Sequence, residues 1–476
     1  MTELTATTPP RVAADERTER FGLAALLTLL SGGFLPILSF FILNVALPSI
    51  GRDLDASDGA LQLVVGAYGI ANACLVVAGG RLGDAFGRRR LFLTGMVGFT
   101  ITSLLCAIAP SIGVLLAARV LQGATAALMT PQVLATIAAT LTGESRGRAI
   151  GLFGASGGVA AALGQILGGA LVQANLWDLE WRSVFLLNVP LGVLAAIAGR
   201  RLLPETKATH RVPLDLVGAG LLAVTLVVLL LPLTEGRPLG WPLWTWLLLA
   251  AVIPLAALLG THQSWVERSE RAPLVPPSVL RLRGMRVGLG IAVLFFTTFS
   301  GFMFAFALAT QVGAKLTALE AGLAILPMGA AFLVASIVGP RLETRWGAGI
   351  ITRGAVVQTV GYLLLAATTQ LAWPDVNALV LTPGMLVAGL GSGFVMMPMF
   401  GVVIRQVPVQ QAGLGSGILI TTQQTCLALG AAMVGTAYLS MTSRWGAGDA
   451  LTLVELIIAA VSVVLIPLSR GLRSAD

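Results

Sequence analysis

From Phe21 to Leu468 the chain is a succession of apolar stretches of about 20 residues, each long enough to cross ~30 Å of hydrocarbon, with short polar breaks between them. That pattern leaves no room for a sizeable soluble domain. Only 11% of residues are charged and 56% are hydrophobic, whereas soluble domains carry about 25% charged residues. The chain reads as an all-α polytopic membrane protein.

The stretches predict fourteen helices, over 22–50, 59–80, 91–110, 112–140, 149–174, 183–203, 214–234, 243–262, 287–313, 319–341, 349–371, 376–404, 411–440 and 450–469. Arginine and lysine are retained on the cytoplasmic side of short loops. With both termini inside, the cytoplasmic segments hold 24 basic residues and the outer loops 5, and Arg119 is left alone within helix 4. The tryptophans agree, since Trp177, Trp181, Trp241, Trp244, Trp246, Trp265, Trp346, Trp373 and Trp445 all fall at or near predicted helix ends, where indole prefers the headgroup layer.

Residues 1–21 mix charge, proline and threonine without the apolar core of a signal peptide and read as a disordered cytosolic tail, as do 471–476. Cys74, Cys106 and Cys426 lie within spans and read as small packing residues, not as a disulfide framework. The net charge of +8 sits in short loops at membrane edges, so topology explains it and nucleic acid is not an expected partner.

Residues 79–90, GGRLGDAFGRRR, place five charges between two apolar runs. Gly80, Gly83 and Gly87 permit a tight turn and close backbone approach, Asp84 can cap a helix N-terminus, and Arg81, Arg88 and Arg89 hold the turn at the anionic cytoplasmic face. A plain anchoring loop would carry the same charges. Residues 340–347, PRLETRWG, align with 80–87, so that Arg341 matches Arg81 and Gly347 matches Gly87. The match falls eight helices later, as expected of two related six-helix bundles, helices 1–6 and 9–14, with helices 7 and 8 inserted.

The 79–90 segment resembles the G-x-L-a-D-r-x-G-r-[KR]-x signature of the major facilitator superfamily, at the family's position between helices 2 and 3. The resemblance implies the family's fourteen-helix fold, divided here as an N-terminal bundle over 22–205, inserted helices over 206–270 and a C-terminal bundle over 271–470. It also implies that the loop is a conformational latch whose Asp84 engages a helix end of the opposite half. Helix 4, LLAARVLQGATAALMTPQ, is similar to the family's R-x-x-Q-G motif and gives Arg119 and Gln122 a place in proton-linked coupling. An arginine inside a span costs at least ~2.5–3.5 kcal/mol, so it faces a cavity or a partner; a buried residue bonded to backbone carbonyls is the other reading. Helix 5 looks like the antiporter motif ending G-P-x-x-G-G, with Gly164, Gly168 and Gly169 kept and Gln165 in place of the proline. The same glycines also suit plain close helix packing. FFILNVALPSI (40–50) and WRSVFLLNVPLG (181–192) look like hallmarks of the fourteen-helix drug:proton antiporter branch.

Members of that branch typically carry an aspartate five residues before Asn44, where this chain has Ser39. Proton coupling needs a titratable group whose proton affinity changes between states. Most carboxylates fall in tails, loops or helix edges, with Asp53, Asp55 and Asp58 at the outer mouth; only Glu455 and, marginally, Glu320 lie within spans. Either Glu455 or Glu320 titrates, or an outer-mouth aspartate does, or protons are not the direct driver.

Phe295, Phe299, Phe302 and Phe306 share one face of helix 9, and helix 12 adds Met396 and Met399. In the family's topology these helices border a central cavity with Ser39 and Asn44, where aromatic and flexible side chains suit varied lipophilic ligands; lipid-facing or interhelical packing is the alternative. The expected function is export of amphipathic small molecules from a bacterial inner membrane, by a monomer exchanging them for protons without cofactor or metal. The alternative is a lipid or lipophile translocator without tight proton coupling. No P-loop, H-E-x-x-H or paired intramembrane aspartates occur, so neither ATP-driven transport nor an intramembrane enzyme is expected.

Overall fold

The computed structural model describes residues 22–207, 215–237, 239–269, 271, 273–405 and 412–473. The predicted tail over 1–21 lies outside the described residues. So do 474–476.

Fourteen described helices are long and apolar enough to cross a membrane. They are α1 (Leu23–Asp53), α2 (Asp58–Phe86), α3 (Arg88–Ala107), α4 (Ile112–Thr140), α5 (Gly143–Ala174), α6 (Arg182–Leu202) and α7 (Leu216–Glu235), followed by α8 (Leu243–Arg268), α9 (Arg283–Leu308), α10 (Ala318–Trp346), α11 (Gly349–Ala372), α12 (Ala378–Arg405), α13 (Ala412–Trp445) and α14 (Ala447–Arg473). In hydrocarbon every backbone polar group must be satisfied within its own segment, which is why each apolar stretch becomes a helix. Where polar residues meet the ends, they cap them. The Ser57 and Ser111 hydroxyls accept from Ala60 N and Val114 N, and Thr317 with Glu320 forms a reciprocal capping box on α10.

Several helices run on past the hydrophobic stretch that predicts them. The α2 helix continues to Phe86, α8 to Arg268 and α10 to Trp346, while α14 carries three residues of the expected tail to Arg473. Charged residues end an apolar count, but they do not end a helix. The predicted 79–90 loop is thus corrected: it is the last turns of α2 and the first turn of α3, broken only at Gly87. There φ is +109°, a conformation that glycine alone enters freely. Gly347, its counterpart in the repeat, ends α10 with φ +53°.

The helix pairings confirm two related halves. In the first, α2 and α3 pack on α4, α1 on α5, and α3 on α6. The equivalent pairs recur eight helices later as α10 and α11 on α12, α9 on α13, and α11 on α14. The halves meet along two seams that the same repeat relates, α5 with α10 and α2 with α13. The inserted α7 lies over the second seam. Its Leu233 carbonyl accepts from Thr436 of α13, and its Ala223 carbonyl accepts from the Cys74 thiol of α2. The neighbouring α8 packs chiefly on α7, and only Thr245, Gln263 and Val266 of it are buried.

Candidate functional site

Arg119 sits two turns into α4 and is fully buried. Its Nη1 donates to Gln122 Oε1 at 2.7 Å and to Ser39 Oγ of α1 at 3.4 Å, and its Nε donates to the Val64 carbonyl of α2 at 3.3 Å. Gln122 is held in turn by donating to Ser103 Oγ at 2.7 Å. The guanidinium lies 4.2 Å from the centroid of the Tyr68 ring, whose hydroxyl donates to the Pro36 carbonyl at 3.0 Å. A cation over an aromatic face gains up to ~2 kcal/mol when desolvated. Every one of these partners is neutral. Among the described residues no carboxylate lies within ion-pair distance of Arg119, and its Nη2 has no hydrogen-bond partner.

α2 can come this near α4 because Gly123 offers no side chain: a Cβ there would collide with the Tyr68 carbonyl. The position equivalent to the missing aspartate therefore faces Arg119 directly. Asn44, one and a half turns further along α1, is buried with its Oδ1 unpartnered.

The second half holds the one carboxylate that is fully buried among the described residues. Glu455 on α14 has no exposed surface, so it does not reach the membrane edge. Thr369 of α11 donates to its Oε1 at 3.2 Å, while Oε2 has no partner. Tyr362, two turns earlier on the same face of α11 as Thr369, also carries an unpartnered hydroxyl, and its ring meets Phe302 at a centroid distance of 5.2 Å. Glu320 is unlike Glu455: its carboxylate is exposed and committed to the Thr317 amide and hydroxyl at 2.8 and 2.9 Å. At the end of α1, Asp53 accepts from Trp181 Nε1 at 2.9 Å and pairs with Arg182 at 2.6 Å. Asp55 is exposed.

The aromatic series of α9 divides between two roles. Phe295 and Phe299 stack at 5.8 Å, and Phe299 meets Phe41 of α1 edge-on across the two halves. Phe302 and Phe306 turn into the second half with Tyr362. All four are buried, as are Met396 and Met399. Met396 reaches Gly157 of α5 across the halves. Phe299 and Met396 thus fill the contact between halves in this conformation.

The glycines of α5 take up distinct positions. Gly164 and Gly168 let α1 approach, with a Cβ at either falling 2.8–2.9 Å from the Ile42 backbone. Gly169 lies against the backbone of Ala318 on α10, where any Cβ would overlap the carbonyl. Gln165 is buried beside Gly322 with its side chain unpartnered. The motif thus builds a seam that runs from the C-terminal end of α5 to its middle, where Gly158 meets Phe332. On the other seam Asn72 donates to Gln424 at 3.0 Å. That pair was visible in the sequence as amides inside apolar stretches, but only the fold joins residues so far apart.

At the junction of α2 and α3, Asp84 accepts from Arg88 at 2.8 Å, an i, i+4 pair bridging the break at Gly87. Arg88 also donates to the Ala135 carbonyl of α4, and Arg89 to the Leu203 carbonyl, with Glu205 beside Arg89 and Arg90. Gly83 is pressed against Gln132, whereas Gly80 makes only ordinary contact with Pro131. The expectation that Asp84 grips the opposite half is corrected: its described hydrogen bonds stay within its own half. Arg81 makes the contact toward the other half, donating to the Pro273 carbonyl in the segment that leads into α9. Residues 406–411, which join α12 to α13, lie outside the described residues.

Two related helical halves, fourteen membrane-long helices and an arginine buried inside α4 are the architecture of a multi-pass membrane transporter. The family model of the Major Facilitator Superfamily matches residues 29–431, and the chain belongs to that family. It is 37% identical over 419 residues to a protein of Streptomyces coelicolor described as "Probable actinorhodin transporter", covering 88% of this chain and 72% of that one. It is 36% identical over 431 residues to a puromycin resistance protein of Streptomyces alboniger, covering 88% and 82%. Its fold matches the crystal structure of the human organic anion transporter MFSD10 with a TM-score of 0.63 at 17% identity, over 94% of this chain and 99% of that one.

Proposed function

We propose that the protein exports amphipathic small molecules, antibiotics or toxic metabolites, across a bacterial inner membrane in exchange for protons, with both termini cytoplasmic. The relatives named for actinorhodin transport and puromycin resistance support the substrate class. The observation that carries the mechanism is the pair of repeat-related seams, α5 with α10 and α2 with α13. Halves that meet chiefly along such seams can rock about them and open a mid-membrane site to alternate sides.

Energy enters through charge. Arg119 holds a positive charge in the first half with no acid beside it, and Glu455 is the buried carboxylate of the second. Its single hydrogen bond leaves it costly to ionise in a dry bundle, and water reaching it in one conformation lowers that cost. A group whose proton affinity differs between two states couples proton flow to the change between them. Phe302 and Tyr362 link Glu455 to the aromatic face that would meet the exported molecule.

The test is transport in proteoliposomes under an imposed pH gradient. Arg119→Ala abolishes gradient-driven export, and Glu455→Gln leaves transport that no longer responds to the gradient. Export in Glu455→Gln that still follows the gradient removes that residue from the mechanism. Ser39, in place of an acid, favours one second reading, a lipophile translocator without tight coupling; drug resistance that persists in the presence of a protonophore would select it.

A further inference from the structure

A groove of about 310 Å³ opens between the inserted helices and the second half, walled by α7, α8, α9, α13 and the short helix Pro277–Arg281. Leu259 and Gly260 of α8 face Thr421 and Thr422 of α13 across it, and Val275 and Pro277 close its cytoplasmic end. The groove also reaches Ala256, twelve residues before the cytoplasmic end of α8. At 1.5 Å per residue that is a depth of about 18 Å, from the headgroup boundary to the bilayer midplane.

The polar atoms of this groove are already engaged. Thr421 and Thr422 donate back to the carbonyls of Gly417 and Ile418. Gln263 donates to Asp215 at 2.7 Å and accepts from Val275 N at 2.9 Å. What remains on offer is hydrocarbon surface, one leaflet deep. Arg281 and Arg283 stand exposed just past Leu280 at the cytoplasmic end, and no carboxylate pairs with either among the described residues.

We propose that this groove is a binding site for an anionic phospholipid of the cytoplasmic leaflet, with one acyl chain between α8 and α13 and its phosphate at Arg281 and Arg283. An aliphatic chain matches a lining with no free donor, and the arginines supply the complementary charge. The site also has leverage: Thr421 and Thr422 lie one turn from Gln424, which bonds Asn72 across the α2–α13 seam. A chain wedged there bears on the element that joins the two halves. The placement in the cytoplasmic leaflet rests on the orientation proposed above, but the groove and its test do not depend on transport.

Native mass spectrometry of the intact protein, purified from membranes of phosphatidylcholine mixed with phosphatidylglycerol, reads the site. Gly260 has open space where its Cβ would stand, so Gly260→Trp fills the groove from α8 while Gly260→Ala leaves it open. Wild type and Gly260→Ala retain one phosphatidylglycerol after delipidation, and Gly260→Trp loses it. Arg281→Gln with Arg283→Gln retains phosphatidylcholine as readily as phosphatidylglycerol. Retention by Gly260→Trp equal to wild type overturns the proposal, as does wild type holding no lipid. Unchanged lipid with reduced export of a lipophilic dye in Gly260→Trp also overturns it, assigning the groove to the substrate path. Should Gly260→Trp fail to fold, wild type labelled by phosphatidylglycerol carrying a photoreactive acyl chain decides: cross-links within 256–263 and 418–422 support the site, and cross-links only elsewhere reject it.

Discussion

Arg119 of α4 donates to Ser39 of α1 across 3.4 Å of buried space. A neutral hydroxyl therefore receives a hydrogen bond from a guanidinium that nothing neutralises. An acid at position 39 would make the charge of that pair switchable.

Ser39→Asp places a titratable group against that arginine. The new ion pair forms in low dielectric, where attraction is strong but both charges are desolvated. Export by this variant should depend more steeply on pH than export by wild type, measured as initial rates in proteoliposomes across the neutral range. An unchanged profile would show that the position takes no part in coupling.

Gly169 offers a mechanical test. A methyl group there overlaps the Ala318 carbonyl, and overpacking of this kind typically costs ~1–3 kcal/mol. Gly169→Ala should hold the C-terminal end of α5 away from the start of α10, so that a cysteine placed at Leu316, just before α10, reacts faster with a membrane-impermeant thiol reagent. Gly151→Ala, at a position with no neighbour within 4 Å, should behave as wild type.

Arg81→Gln removes the charge from the contact with Pro273 and leaves the Asp84–Arg88 pair in place. If the contact between halves sets the conformational step, turnover should fall about tenfold, a change of ~1.4 kcal/mol, with substrate affinity held. Arg88→Gln breaks bonds within the first half and should lower thermal stability instead.

Asp215 caps α7 through Gly218 N at 2.8 Å and accepts from His262 and Gln263 of α8 at 3.0 and 2.7 Å. Partial burial pushes this carboxyl up, but the bonds from His262, Gly218 and Gln263 outweigh it and hold it below its ordinary value of 3.8. A depressed carboxyl stabilises the fold above that value and loses its contribution as pH falls through the lowered one. Asp215→Ala should therefore be less stable than wild type by ~1–2 kcal/mol at neutral pH. Thermal unfolding in detergent should show the two converging only in strong acid, below 3.8.

The number of crossings was legible because hydrocarbon sorts residues by a single property, and the arginine asymmetry supplied an orientation. The repeat was legible at Gly87 and Gly347, where one backbone conformation demands one residue. Helix ends were not legible, since charged turns such as 81–86 look like loop in a hydropathy count and fold as helix. Partnership was not legible either. Arg119 was visible as an isolated charge, but only α1 folding against α4 shows that it meets Ser39. Glu455 read as a residue within a span, eight positions from the start of α14, and only the packing of α11 over it shows that it is fully buried. The aromatic stripe of α9 was read as one surface, and its division between Phe41 and Tyr362 depends on how the halves come together.

The backbone contact between Gly169 and Ala318 has a kinetic corollary. With no side chain between the two strands of peptide, nothing there can flex or slide to absorb a partial displacement. Dispersion attraction falls away within an ångström of separation, so this junction behaves as a zip fastener's first tooth, seated or released. Opening toward the outside should accordingly be an abrupt event with its own barrier, seen in single-molecule traces as dwell times and jumps.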